Sequence, residues 1–519
     1  MRFNNLLGVT VSSYLTAQVL AQQSSKSTGF KGCDALLDAG LGNITVFPLD
    51  NAYNESVSTY PSSESRRLRP SCIVQPRSTE DVSKTVKALG GASGAGSWDI
   101  AIRSGGHGYF GSNGVTRGVT IDLTFFNSTE LVEDSSGNWT RHWNGTSTLT
   151  KSVARIRPAA RWGSIITYLE QYNLSVTGGR SGHVGAGGLL LSGGASYHIQ
   201  QWGFSCDNVI NYEVVLANGS IVEANTRENT DLFKALKGGG NNLGIVTRFD
   251  MRTFTIPPDG VYGGILIPSW NDVDILNKQF LDYATSIGGG SPDHEFIVWR
   301  NNDAQPNIMV MAVSTDGNEH SESFTPFDAI PLEMDFRARQ NLSQVAESIS
   351  DTGGSHDMGF TLTLQATTEV MDKCAEVFLD LTEDLQQSDI PLLVTFVFQP
   401  FPKNLASASP GGNILGLHKT LPADSILFDV GGTLNASEIA YDGIAYSMIA
   451  KAVEEIRAFS ASREGHSSYI YMNYANPEQD VIGSYGADNV RFLKDTAAKY
   501  DPTAFFQDRV PGGFKMSRL

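Results

Sequence analysis

Three glycine runs, far apart in the chain, constrain this sequence more than any other feature. The first, Arg103-Ser104-Gly105-Gly106-His107-Gly108, directly follows a predicted short strand, Asp99-Ile100-Ala101-Ile102. The second fills residues 178–194, and the third, Gly238-Gly239-Gly240-Asn241-Asn242-Leu243-Gly244, runs into a predicted strand ending at Thr255. Glycine accounts for 53 of 519 residues, about a tenth, against roughly 7% in ordinary proteins. A glycine turn lets another group lie close to the backbone, and its successive N–H groups can converge on an anion such as a pyrophosphate. Two readings follow: the runs jointly cover one long polar cofactor, or they are three unrelated loops. Nowhere does a G-x-G-x-x-G follow a strand and open a helix, which argues against a nicotinamide-dinucleotide enzyme.

The charge balance, 38 Lys plus Arg against 55 Asp plus Glu, leaves a net −17. That argues against nucleic acid or an anionic membrane as partner, since both need a basic footprint. The start reads Met1-Arg2-Phe3, then a mostly apolar run from Leu6 to Leu20 with Val19 and Ala21 near its end. A basic start, a short apolar core and small residues form a signal-peptide pattern over 1–21, with an ordinary amphipathic helix as the rival reading. Nine N-x-Ser/Thr sequons, at Asn43, Asn54, Asn127, Asn138, Asn144, Asn173, Asn218, Asn341 and Asn435, add to the expectation of a glycosylated protein of the secretory route, which permits disulfides. Among the four cysteines, Cys33 and Cys72 flank the first mature segment and can staple it; Cys206 and Cys374 read as buried thiols. No metal-ligand spacing stands out among Cys and His, and no G-x-S-x-G elbow occurs.

At this length two or three domains are expected. Residues 30–70 read as polar and loop-rich. A βα pattern then begins, with a strand at Cys72-Ile73-Val74, a helix over Thr79 to Leu89 started by Ser78 and Asp81, and a further strand at Val119 to Leu123. Residues 153–173 read as strand then helix. Glu213 to Glu223 reads as a hairpin with an Asn218-Gly219 type I′ turn. The character changes at Pro257-Pro258. Beyond it lie predicted strands at Asn307 to Val313, Phe360 to Gln365 and Leu392 to Phe398, and helices at Glu369 to Leu385 and Glu438 to Phe459. That is an α+β pattern with helices on one face of an antiparallel sheet. A last helix, Ala487 to Tyr500, closes the chain.

Five segments together (RSGGHGY, GGLLLSGGASY, CDNVINYEVVLANGSIVEAN, DLFKALKGGGNNLGIVTRF and YMNYANP) resemble the berberine-bridge-enzyme-like flavoproteins of the p-cresol-methylhydroxylase-type, or vanillyl-alcohol-oxidase, superfamily. The resemblance covers about residues 68–256 and 465–510, in the family's order. It implies a bimodular fold: an FAD domain from 22–256 plus 466–519, and an inserted antiparallel-sheet substrate domain over 257–465. It implies FAD held covalently by His107, an electron-withdrawing link that raises the flavin's potential and retains the cofactor. Arg103, Ser104, Gly105, Gly106, Gly108, Ser181, Val184, Gly187, Gly188, Gly194, Ile245, Val246 and Asn473 are the other positions it assigns to the cofactor. Many relatives carry a second flavin link from a Cys where this chain has Ser181, so a single bond through His107 is expected. Val184 falls at the family's oxygen-gating position, where a small apolar residue accompanies oxidases. Ala195 stands where plant relatives have an active-site Tyr, so their complete base motif is not carried over.

The candidate base is Tyr474, with Tyr471 beside it. In an extended chain Tyr469, Tyr471 and Asn473 would share one face and Tyr474 the other, so only a bend brings the two tyrosines together. A phenol near pKa 10 also needs a cation or donor beside it to work at neutral pH. From the residues alone, base and packing are equal readings; the family pattern favours the base. His183 can approach the flavin or face solvent. Phe396, Phe398 and Gln399 can line the cleft, with core packing the default for both Phe. Trp270 and Trp299 can stack on sugars or fill the core.

The resulting expectation is a secreted, monomeric FAD oxidase. It takes hydride from a C–H beside OH or NH of a small molecule or oligosaccharide and passes electrons to O2, giving H2O2. The rivals are a dehydrogenase or oxidative cyclase of secondary metabolism on the same fold, and a glycosylated binding protein with a structural flavin.

Overall fold

The computed structural model describes residues 27–519 except 93–95, 109, 111–112, 134–147, 288–289, 303–304, 351–352, 404 and 406–410. The signal-peptide reading and the sequons at Asn138 and Asn144 lie outside the described residues.

Three sheets follow one another along the chain. The first is built from β1 (Thr45–Val46), β2 (Cys72–Val74), β3 (Ile100–Arg103) and β4 (Val119–Asp122) in the order β1-β2-β4-β3, with β4 parallel to both β2 and β3. The second comprises β5 (Thr129–Glu133), β6 (Leu149–Ile156), β7 (Leu174–Ser175), β8 (Val209–Val215), β9 (Ile221–Asn225) and β10 (Ile245–Thr255), ordered β5-β6-β10-β8-β9 with β7 on β10. The third, all antiparallel, holds β11 (Val261–Pro268), β12 (Asp293–Asn302), β13 (Gln305–Ser314), β14 (Leu332–Asp335), β15 (Ala338–Gln340), β16 (His356–Gln365), β17 (Leu393–Phe401) and β18 (Ser425–Leu434). The chain is thus α+β, with an antiparallel sheet inserted before a C-terminal return. The return is tied to the earlier part by Tyr500 Oη donating to Asp231 Oδ1 at 2.7 Å and Asn242 Nδ2 donating to the Phe514 carbonyl at 2.8 Å.

The third sheet has two chemically different faces because its residues alternate. Ile297, Trp299, Phe396, Phe398, Phe428 and Val430 form a buried core under the helices Val273–Ser286, Thr368–Gln387 and Asp442–Ala461. Trp299 is fully buried there, edge-on to Trp270 at 5.7 Å, so both tryptophans and both phenylalanines pack the core. The register pairs Leu427 with Gln399, Val397 with Asp429 and Ile297 with Phe398. His294, Phe296, Gln399 and Asp429 therefore share the opposite face, which looks toward the glycine runs.

Local signals explain several boundaries. Ser78 Oγ accepts from the Asp81 N–H at 3.1 Å and the Asp81 carboxylate accepts from the Arg77 N–H at 3.1 Å, which starts the helix Thr79–Ala92 as expected. The hairpin between β8 and β9 is real, but its turn is not type I′. Leu216 N–H bonds the Ser220 carbonyl at 2.9 Å, and of Asn218 and Gly219 only Gly219 has a positive φ, +76°. The connection is a three-residue loop ending in a left-handed glycine, the next commonest hairpin solution. Residues 30–70 also differ from the loop-rich expectation, forming helices at Lys31–Asp38, Asn51–Ser58 and Ser63–Arg67. Each is too short for a helical period to show in the sequence; the first two are held by burial of Leu36, Tyr53 and Val57, and the third is capped by Ser62 Oγ accepting from the Ser65 N–H.

Cys33 and Cys72 are disulfide-bonded, pinning the first helix to β2, while Cys206 and Cys374 are free and buried. The bond closes a 39-residue separation, so Cys72→Ser is expected to lower the unfolding free energy by about 2–4 kcal/mol. An equilibrium denaturant curve measures this; an unchanged midpoint contradicts the assignment of the staple as a stabilising element.

Candidate active site

The three glycine runs come together. A Cβ placed on Gly105 would sit 2.5 Å from the Cα of Gly185, and the reverse holds equally, so the first two runs stack backbone on backbone. The second run also pairs with the segment 158–163. Trp162 N–H donates to Val184 O at 3.0 Å, Gly163 N–H to Gly182 O at 2.9 Å and Gly187 N–H to Pro158 O at 2.9 Å, while Ser104 Oγ donates to the same Pro158 carbonyl. Arg161 clamps both runs, donating from Nη2 to the Gly105 carbonyl at 3.1 Å and from Nη1 to the His183 carbonyl. The third run joins through the Gly240 N–H, 3.0 Å from the Leu191 carbonyl. Three unrelated loops would not share these contacts.

The residues assigned to the cofactor fall into distinct settings. His107 lies half-buried two residues beyond Gly105, after the left-handed turn at Gly106 (φ +74°). Gly108 follows it. Gly187 and Gly188 lie in the short helix Ala186–Leu191, where Gly187 rests against Ser104 and Gly188 is open to its surroundings. Gly194 (φ +86°) donates its N–H to Asn473 Oδ1 at 3.3 Å, which ties the second run to the late tyrosine segment. Ser181 Oγ is 3.5 Å from Ser350 Oγ, and Val184 packs partly buried on the neighbouring core. Ile245 and Val246 begin β10 opposite Val215 and Val214, their side chains in different core clusters. The Arg103 side chain turns the other way: it is buried, 2.8 Å from Thr59 Oγ1, 3.9 Å from Asp122 and stacked 3.8 Å over the Tyr60 ring. Only its backbone leads into the glycine turn. His183 sits at the rim, 3.8 Å from Glu347.

Tyr471 to Tyr474 form a turn, closed by Tyr474 N–H donating to the Tyr471 carbonyl at 3.1 Å. The turn supplies the bend that an extended chain lacks, and brings the two rings to 4.9 Å at 82°. Their environments differ. Tyr471 is buried, stacks on Phe204 at 5.8 Å and accepts the Ala195 N–H at 2.7 Å; burial pushes its hydroxyl well above the ordinary phenol range. It is a wall. Tyr474 is half-buried, its oxygen taking a hydrogen bond from Arg180 Nη2 while its hydroxyl faces Gln399 Oε1 at 3.4 Å.

Arg180 and Asp429 complete the site and were not singled out in the sequence. Arg180 lies within the second glycine run, next to Ser181, and its guanidinium also stands 5.1 Å over the Phe296 ring. The requirement for a cation beside the phenol was the available signal. Asp429 lies on the polar face of the third sheet; burial pushes its carboxyl up to about 7, with Arg180 opposing the shift. Among the described residues its enclosed Oδ1 has no hydrogen-bond partner. A cation at a phenol oxygen stabilises charge as it forms there, and a carboxyl near 7 can give or take a proton.

A cradle from which side chains are excluded on both sides fits the pyrophosphate of FAD, and it places His107 at its first turn. The comparisons agree with that fit. The family model described as "FAD binding domain" matches residues 70–225. The chain is 31% identical over 499 residues to the FAD-dependent monooxygenase sdcF of Emericella nidulans, covering 94% of this chain and 98% of that protein. Its fold is similar to a berberine bridge enzyme variant in complex with (S)-reticuline (TM-score 0.72, 17% identity, 93% and 99% covered). It is also similar to the xylooligosaccharide oxidase of Myceliophthora thermophila C1 with xylobiose (TM-score 0.71, 20% identity, 93% and 99% covered). This chain belongs to the berberine-bridge-enzyme-like FAD-dependent oxidoreductases with a p-cresol-methylhydroxylase-type FAD-binding domain.

Proposed function

We propose that the protein is a secreted oxidase that converts a CH–OH or CH–NH group of a small molecule or oligosaccharide to C=O or C=N, with O2 reduced to H2O2. The observation that carries this reading is the Tyr474 oxygen, held by Arg180 at one side and Gln399 at the other on the wall of the glycine cradle. Bound FAD, linked through His107 alone because Ser181 offers no thiol, supplies the two-electron acceptor. Tyr474 takes the O–H or N–H proton from the substrate while Arg180 stabilises the phenolate that accepts it. Gln399 and Asp429 are the polar groups of the opposite wall that orient the substrate. Tyr471 keeps water from the buried side of Tyr474.

Secretion and glycosylation are supported by the leader pattern over 1–21, by the Cys33–Cys72 bond and by the seven sequon asparagines among the described residues, all exposed. A second reading is favoured by the name of the Emericella nidulans relative: a monooxygenase inserts one oxygen atom into its product. A third, dehydrogenase or oxidative cyclase, reoxidises slowly in air.

Tyr474→Phe is expected to slow anaerobic reduction of the flavin by about 10²-fold or more with little change in substrate affinity; equal rates contradict the base assignment. Acid precipitation of the purified protein is expected to leave the yellow colour in the pellet, and a coloured supernatant contradicts the covalent link. Turnover under ¹⁸O2 is expected to give one peroxide per substrate and no label in the product. Label in the product establishes the monooxygenase reading instead, and negligible peroxide the dehydrogenase.

A further inference from the structure

We propose that His294 is a positioning residue of this site: a neutral imidazole from the inserted sheet that holds the Arg180 guanidinium against the Tyr474 oxygen. The proposal rests on the reading of Tyr474 as the proton acceptor. Arg180 Nη1 lies 3.2 Å from His294 Nε2, and His294 Nδ1 lies 3.2 Å from Gln200 Oε1. A guanidinium has only donors, so Nε2 must accept, the ring must be neutral, and its one proton must sit on Nδ1. Gln200 Oε1 is the matching acceptor on that side. The relay runs Gln200 to His294 to Arg180 to Tyr474, and it crosses between the modules twice.

The geometry leaves the imidazole little freedom. His294 and Gln200 are both buried, and Tyr197 meets the ring edge-on at 5.7 Å, with Phe296 at 5.9 Å. Arg180 is then held at both amino groups, Nη1 by His294 and Nη2 by Tyr474, with the Phe296 face beneath it. A guanidinium fixed at two points keeps one orientation, whereas a single contact lets it swing. Burial, Arg180 and His198 all drive the His294 ring well below the ordinary histidine range, so it stays neutral while Arg180 is charged. The other titratable groups facing the relay are Tyr471 and Tyr197, both buried phenols pushed up, and Asp429, which lies on the same sheet face as His294.

Removing the acceptor at position 294 lets the guanidinium leave the phenol, so proton transfer to Tyr474 then requires higher pH. The test measures anaerobic flavin reduction against pH in the FAD-loaded protein for His294→Phe and His294→Gln, whose amide oxygen can still accept from Arg180. In parallel, ¹³Cζ-tyrosine NMR follows the Tyr474 resonance, assigned by its loss in Tyr474→Phe. His294→Phe is expected to move the rising pH limb and the NMR midpoint upward. The rate at pH 7 then falls about tenfold with KM little changed, and His294→Gln recovers most of it. A limb that stays put in His294→Phe, or one that moves equally in both variants, overturns the proposal. Should His294→Phe not fold, Gln200→Met decides: an upward move supports the relay and an unmoved limb overturns it. Failure of the underlying reading is separate, because it shows as an undiminished rate in Tyr474→Phe.

Discussion

The close approach of Gly105 to Gly185 is the contact on which the rest of the site depends. With 2.5 Å between a Cβ position on one and the Cα of the other, no other residue pair permits this stacking without displacing backbone. The stacking puts His107 at one end of a side-chain-free surface. It also fixes the second run along residues 158–163, where Arg161 bonds a carbonyl of each run. Because Arg180 belongs to that same run, the contact that makes the cofactor cradle also delivers the cation to Tyr474. The proposed cofactor seat and the proposed acid–base group are thus built by one piece of packing.

The inserted sheet contributes by being apolar on one face and polar on the other. Its helix-covered face is an aromatic core of Trp299, Phe396, Phe398 and Phe428, which makes the sheet a rigid wall. The opposite face presents His294, Gln399 and Asp429, groups that are costly to bury without partners. Several polar atoms around it lack partners among the described residues, including Asp429 Oδ1, Tyr197 Oη and Gln200 Nε2. In a well-packed protein such atoms are explained by strain, water or a ligand. Their gathering around Tyr474 fits a substrate bound between the sheet and the cradle.

What was legible in the sequence follows from the range of each signal. The glycine runs, the Ser78 helix start, the long helices and the tyrosine pair all carry local patterns, and the family resemblance joined them into one fold. The shape of the 471–474 turn was legible only as a need, since alternation separated residues that chemistry wanted together. Arg180, His294 and Asp429 carry no local signal. They come from a loop of the second glycine run and from two strands of the third sheet, and only tertiary packing makes them neighbours. The short helices between 30 and 70 are hidden for a different reason: each is shorter than the window over which a helical period can be read, and burial or capping rather than propensity holds them.

The most direct test of the central claim is the flavin-to-protein ratio of Gly105→Ala beside a control, Gly91→Ala, where nothing lies within 4 Å of the added methyl. The account predicts that Gly105→Ala is purified with little or no flavin while Gly91→Ala carries the wild-type amount. A Gly105→Ala protein with its full complement of FAD would contradict it.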